Sequence, residues 1–149
     1  MATAPRILIV TSRYYAHIAS ELEASVVEGL EKVGATHEFL EVPGAFEIPG
    51  AIAMAASTGE WDGFVALGCV IRGETSHYDL ITNHVARGLM ELSISGVPLG
   101  FGVLTVENEE QAKVRADRKQ KNKGAEVVAA VLRMVGLSYR FNKLDEIEE

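Results

Sequence analysis

The sequence has 149 residues, about one domain on a prior of roughly 100 to 200 residues each, and with 48% hydrophobic residues and only 4 prolines it is not a disordered chain. Its 14 Lys and Arg against 21 Asp and Glu give a formal net charge of −7, which repels phosphodiester backbones and argues against nonspecific nucleic-acid binding. A single cysteine, Cys69, excludes an intrachain disulfide and a cysteine-based zinc site.

Arg6–Thr11 opens the chain as an apolar strand. Ahead of it Met1–Pro5 runs directly into Ile7-Leu8-Ile9-Val10, too short for the apolar region of a signal peptide. No apolar run reaches the ~20 residues of a spanning helix, so a cytoplasmic protein with no membrane partner is expected. Ile18, Leu22, Val26, Leu30 and Val33 recur at helical spacing within Ala16–Val33, with Gly34 as C-cap. Thr36–Val42 alternates as a strand, Pro43-Gly44 breaks it, and Ala45–Ser57 predicts a helix with Pro49 in its first turn. Gly63–Val70 is apolar almost throughout, as a central parallel strand covered on both faces would be. Thr75–Ser93 predicts a helix capped by the hydroxyl of Thr75 or Ser76, and Val97–Val106 a fourth strand. Asn108 caps a helix from Glu109 to about Lys119, and Ala125–Val135 forms the last, closed by Gly136. Strands alternating with helices give an α/β architecture. One domain over residues 1–149 is expected, with flexible ends at 1–5 and 140–149.

In an open parallel sheet, ligands bind outside the carboxyl ends of the strands. Four segments fall there: Thr11–Tyr15, Val42–Glu47, Cys69–His77 and Thr105–Asn108. In the third, Arg72-Gly73-Glu74-Thr75 places a glycine turn before a helix start, whose free N–H groups favour an anion such as a phosphate, although the same composition also serves as a plain helix start. It is neither GxxxxGK[ST] nor GxGxxG. His77, on the rim of that turn, is either a proton carrier near neutral pH or a surface imidazole. His17, His37 and His84 lack metal-site spacing and read as structural or surface groups. Tyr14, Tyr15 and Phe46 could offer flat faces to an aromatic ligand or pack in the core, while Glu47 could accept hydrogen bonds from hydroxyls. Lys113, Arg115, Arg118, Lys119, Lys121 and Lys123 form a basic cluster, read either as a solvated face or as the source of a phosphate-binding arginine.

Four motifs in order, Gly44–Pro49, Gly68–Asp79, Phe101–Thr105 and Asn122–Glu126, resemble those of the 6,7-dimethyl-8-ribityllumazine synthases, over about Ile7 to Leu137. The resemblance implies a flavodoxin-like three-layer α/β/α sandwich with a four-stranded parallel sheet in the order 2-1-3-4. It also implies the riboflavin-pathway condensation of 5-amino-6-ribitylamino-uracil with 3,4-dihydroxy-2-butanone 4-phosphate, without metal or organic cofactor. Active sites between subunits of a pentamer, or of a shell of twelve pentamers, are implied with it. Two other readings stay open: a non-catalytic riboflavin- or lumazine-binding protein, and a shell-forming structural protein of the same fold.

Carried over by position, the resemblance places Tyr14 where an aromatic stacks on the pyrimidine, Ala45, Phe46 and Glu47 beside the ribityl chain, and Cys69, Val70 and Ile71 along the heterocycle. It makes Gly73, Glu74 and Thr75 the phosphate turn, His77 the proton carrier and Arg115 of a neighbouring subunit the phosphate-pairing arginine, with Phe101 and Lys119 bordering the ligand. Tyr14 replaces the usual phenylalanine or tryptophan, and Tyr15 the common asparagine. Asp117–Asn122 matches a Gly-Thr-Lys-x-Gly-Asn turn of the shell-forming members but has neither glycine, which favours an isolated pentamer; association with riboflavin synthase is left open.

Overall fold

Four strands and five α-helices alternate along the described residues: β1 Arg6–Ser12, α1 Ala16–Lys32, β2 Thr36–Val42, a 3₁₀ turn Ala45–Glu47 running into α2 Ile48–Ala56, β3 Gly63–Ile71, α3 His77–Ile94, β4 Leu99–Val106, α4 Glu109–Ala116 and α5 Lys123–Glu148. The structure is a computed structural model describing residues 4–148, with side chains through Asn142; of the flexible ends expected at 1–5 and 140–149, residues 1–3 and 149 lie outside the described residues, while 140–148 belong to α5.

All pairings are parallel and the sheet order is β2-β1-β3-β4, as the resemblance implied. Because side chains alternate across a strand, Ile7 and Ile9 of β1 pack with Leu22 and Val26 of α1, Ala112 of α4 and Val131 of α5. Leu8 and Val10 face the other way, against Ile48 and Ile52 of α2 and Val85 and Leu89 of α3. Two apolar cores on opposite faces of one sheet make the three-layer sandwich. The continuous apolar run of β3 is explained by its place: Gly63 to Gly68 are buried throughout.

The chain steps one way from β1 to β2 through α1, and the other way from β2 to β3 through α2 and on to β4 through α3. Right-handed crossovers then require α1 on one face and α2 and α3 on the opposite face, as observed. The reversal lies between β1 and β3, and at their carboxyl ends the connecting loops part to leave a crevice.

Several element bounds differ from the sequence expectation, each for a local reason. The helix expected at Ala45–Ser57 starts as a 3₁₀ turn, and Pro49 sits in the first turn of α2. The helix expected from Thr75 begins at His77, because the Thr75 hydroxyl accepts the His77 N–H at 3.2 Å and holds 72–76 as a turn. β4 starts at Leu99, as Pro98 has no N–H to offer and only its carbonyl pairs, with Phe64 N–H. The helix expected to reach Lys119 stops at Ala116: Asp117 turns extended and its carboxylate takes the Lys119 N–H at 2.8 Å. The largest difference is α5, which does not close at Gly136 but runs on to Glu148. Among the described residues no left-handed residue or proline follows Gly136; burial, with Asp62 adding to the effect, pushes the phenol of Tyr139 one turn later up to about 12. Of the remaining expected caps, Ser76 is the N-cap of α3 but its hydroxyl makes no capping bond, while those at Gly34 and Asn108 behave as expected. Gly34, at φ +76°, closes α1 with the Ala35 N–H on the Leu30 carbonyl, and the Asn108 side chain accepts the Gln111 N–H at 2.9 Å.

Helix α5 lies against the sheet only because glycine fills β4 where they meet. A Cβ on Gly100 would stand 2.7 Å from the Val127 carbonyl oxygen, a backbone atom that cannot rotate away. Gly136, in the same helix, faces open space. Gly100→Ala is therefore expected to lose about 1–3 kcal/mol through overpacking, and Gly136→Ala to gain up to ~1 kcal/mol from helix propensity. Urea midpoints at one fixed protein concentration check the opposite signs.

Candidate active site

The crevice at the carboxyl ends of β1, β2 and β3 is a cleft of about 420 Å³. Three loops supply its walls. After β1 come Tyr14 and Tyr15; after β2, Ala45, Phe46 and Glu47; from the end of β3, Cys69, Val70 and Ile71; and His77 reaches in from the first turn of α3. Eight of the expected site residues thus share one cavity, although the outermost pair is separated by more than sixty positions of sequence.

Each wall is set locally. Gly44 is fully extended and allows the Glu47 carboxylate to fold back over it, to 3.3 Å from where a Cβ would stand, while the Glu47 N–H bonds to the Gly44 carbonyl at 3.1 Å. Ala45 is buried beneath, and Phe46 is left 56% exposed, an apolar ring with no core partner. Tyr14, 77% exposed, meets Tyr15 edge to face at 5.0 Å. Tyr15 turns inward onto the core, and burial raises its phenol above the ordinary tyrosine range, with smaller contributions from Cys69, Tyr14 and Glu109. The Tyr15 position, aromatic where asparagine is common, therefore forms the floor of the rim and leaves Tyr14 as the ring facing outward.

Cys69 is half-buried at the back of the cleft, and burial pushes its thiol up to about 11, with Glu109 adding to the effect. A thiol two units above its ordinary value holds about a hundredfold less thiolate near neutral pH. Iodoacetamide at pH 8 is expected to alkylate Cys69 about a hundredfold more slowly in the native protein than after unfolding in urea, read by mass spectrometry; equal rates would show that the thiol is not sheltered.

Gly73, Glu74 and Thr75 lie beside the cleft in an exposed turn, and the space around Gly73 is empty to 4 Å. The Asp, Glu, Lys and Arg side chains in this turn or paired with its neighbour Arg72 are that one arginine and three carboxylates. Arg72 pairs with Glu107 at 2.8 Å and with Asp79 at 3.5 Å, and Glu74 is adjacent in sequence. The turn offers backbone donors at the start of an 18-residue helix but no surplus positive charge of its own.

Besides Gly73, Glu74 and Thr75, which lie beside the cleft, three expected site residues lie away from it. Phe101 projects from β4 on the α2–α3 side, 41% exposed. Arg115 lies on α4 with its guanidinium donating to the Gln111 carbonyl at 3.1 Å, and Lys119 lines a separate groove with His17 and Lys113. Within the basic cluster, Arg118 is occupied in holding the fold together. It binds Glu21 at 2.9 Å and Glu28 at 3.3 Å, fastening the 117–122 turn to α1 and holding Glu21 below the usual carboxylate range. Lys123 pairs with Glu126, and His17 with Glu109 at 2.6 Å. Arg115 and Lys119 make no ion pair among the described residues. Ile81, also in the cleft wall, was not foreseen; its place one turn after His77, at i+4 on the same face of α3, was the available signal.

The sequence profile of the 6,7-dimethyl-8-ribityllumazine synthases matches residues 4–138. The chain belongs to the 6,7-dimethyl-8-ribityllumazine synthase family. Similar proteins of that name occur in Sphingopyxis alaskensis, 49% identical over 135 residues that cover 91% of this chain and 96% of the relative, and in Erythrobacter litoralis, 50% identical over 136 residues covering 91% and 97%. A third, from Agrobacterium fabrum, is 48% identical over 139 residues, covering 89% and 94%. Lumazine synthases are enzymes of riboflavin biosynthesis, and this chain, an α/β member with the family's sheet order, is such an enzyme. Its Tyr139 and the rest of α5 extend beyond the segment that the family profile matches. Among the described residues no helix is long and apolar enough to cross a membrane, and no cluster of His, Cys, Asp and Glu has the arrangement of a metal site.

Proposed function

We propose that the cleft binds 5-amino-6-ribitylamino-uracil, and that 3,4-dihydroxy-2-butanone 4-phosphate lies beside it with its phosphate on the 73–75 turn. The observation that carries this reading is the convergence of Tyr14, Phe46, Glu47 and His77 on one cleft. Tyr14 offers a face for the pyrimidine, Ala45, Phe46 and Glu47 border the ribityl chain, with Glu47 accepting from its hydroxyls, and Cys69, Val70 and Ile71 follow the heterocycle. Phe101 and Lys119 lie outside this chain's cleft, so they would border the ligand from a neighbouring copy. The ring amine adds to the ketone and water leaves to form an imine. A carbon-bound proton then departs, phosphate is expelled, and closure through the ribityl-bearing nitrogen releases a second water. His77 carries the proton, and positioning two substrates together supplies several kcal/mol of the acceleration.

A phosphate on a turn whose neighbours are mostly carboxylates needs a cation from elsewhere. Arg115 of a neighbouring copy supplies it, so the working unit is a homo-oligomer. A pentamer of about 80 kDa, five copies of the 16.1 kDa chain, is favoured over a sixty-copy shell of about 966 kDa. The 117–122 turn has no glycine and is braced by the Asp117 carboxylate and by Arg118, which supports the smaller assembly; gel filtration with light scattering separates the two masses. Residence in the cytoplasm and an association with riboflavin synthase belong to the same reading. The activity is tested by following the lumazine chromophore together with inorganic phosphate. Equimolar product and phosphate are expected, and binding of the uracil substrate without phosphate release would favour a non-catalytic carrier.

A further inference from the structure

We infer that Arg72 is a positioning residue that sets the phosphate turn by clamping it between the α3 start and the end of β4. This rests on the reading that 73–75 takes the substrate phosphate. The turn itself has little to hold it. A Cβ on Gly73 would meet nothing within 4 Å beyond its chain neighbours, residues 72–77 are exposed, and the Thr75 hydroxyl bonds only locally, accepting the His77 N–H. Among the described residues, the ties from this segment to the rest of the fold converge on Arg72. Its backbone N–H binds the Val106 carbonyl at 2.9 Å, its Nε reaches Glu107 at 2.8 Å, its second nitrogen reaches Asp79 at 3.5 Å, and its guanidinium lies over the Tyr78 ring at 4.3 Å.

These contacts join three elements at one planar group. Glu107 follows β4, while Asp79 and Tyr78 belong to the first turn of α3, the helix that carries His77 and whose leading N–H groups the phosphate would face. A guanidinium has a fixed fork and a stacking face, so it fixes direction as well as distance. Two carboxylates and an aromatic face already engage it, which leaves it poorly placed to serve the phosphate as a free cation. Its effect on the anion is then exerted through the geometry of the turn.

Positioning and direct attraction give opposite signs when Glu107 is neutralised. If Arg72 acted as a charge on the phosphate, Glu107→Gln would remove a competitor and tighten binding. If Arg72 positions the turn, the same change loosens the clamp and weakens binding. The experiment measures KM for butanone phosphate, KM for the uracil substrate, kcat, and competitive inhibition by inorganic phosphate. For Arg72→Ala, the butanone phosphate KM and the phosphate inhibition constant are expected to rise about tenfold, well inside the ~10²-fold that a misplaced group can cost. The uracil KM should stay within about twofold. Arg72→Lys, which keeps the charge and loses the fork, should resemble alanine. Glu107→Gln should move the same two constants upward by about threefold, and it keeps the test readable if Arg72→Ala does not fold. A lower butanone phosphate KM in Glu107→Gln, a lysine variant equal to wild type, or unchanged constants in all three would overturn the inference. Wild-type enzyme indifferent to inorganic phosphate would instead overturn the reading of the turn.

Discussion

Replacing His77 with alanine is expected to lower kcat by about 10²- to 10³-fold, in the range of a general acid–base group, and to leave a measurable residual rate. The imidazole stands on the first turn of α3, at the junction of the cleft and the 73–75 turn, so with the substrates bound as proposed it would adjoin both the carbon that loses a proton and the phosphate that leaves. The residual rate follows from what the substitution spares. The aromatic faces, Glu47 and the turn still hold two substrates in reach, and that contribution does not depend on the proton carrier. His77 is exposed and on a helix start, hence its loss should leave the unfolding free energy within about 0.5 kcal/mol of wild type. Single-turnover formation of the lumazine, compared with equilibrium binding of the uracil substrate, separates chemistry from binding. An unchanged single-turnover rate would remove His77 from the proton transfer.

Replacing Arg115 with alanine is expected to reduce kcat/KM for butanone phosphate by about 10- to 150-fold, since a hydrogen bond to a charged group is worth roughly 1.5–3 kcal/mol. In its own chain the guanidinium makes no ion pair among the described residues and only caps the Gln111 carbonyl, so the fold loses little. The geometry of sharing gives a sharper test. Arg115→Ala and His77→Ala are each defective, but an assembly reformed from a mixture of the two contains some sites in which an intact Arg115 from one copy meets an intact His77 from the next. Activity should reappear in such mixed assemblies after dissociation and reassembly. A mixture no more active than its components would mean that both groups come from one chain, and the subunit-spanning site would have to be abandoned.

The Gly34 and Asn108 caps and the central burial of β3 were legible because they follow from local pattern, apolar runs, a left-handed glycine at 34 and an Asn three residues before a free N–H, whereas the sheet order came only through the resemblance of the four motifs. The bounds that slipped were those decided at a distance or by a side chain turning back on its own backbone. The Thr75 hydroxyl delays the start of α3 and the Asp117 carboxylate ends α4 earlier than periodicity alone would have it. Gly136 looked like a terminator, but it does not adopt the left-handed conformation that closes a helix, and α5 runs through it to Glu148. The same division holds for the site. The loops at the strand ends were identifiable from topology, and four ordered motifs specified the family, whereas the engagement of Arg118 with Glu21 and Glu28 and of Arg72 with Glu107 could not be read from the positions of the basic residues alone.

The closeness of β4 to α5, where Gly100 admits no side chain, also bears on how the enzyme can change. Such positions freeze the scaffold on one face of the sheet. Tyr14 and Phe46, by contrast, stand mostly in solvent on the opposite, loop-built rim, where exchanging one ring for another disturbs almost no packing. Selection or design can therefore retune which flat molecule is accepted by altering two or three rim aromatics, and the architecture beneath them has no reason to respond.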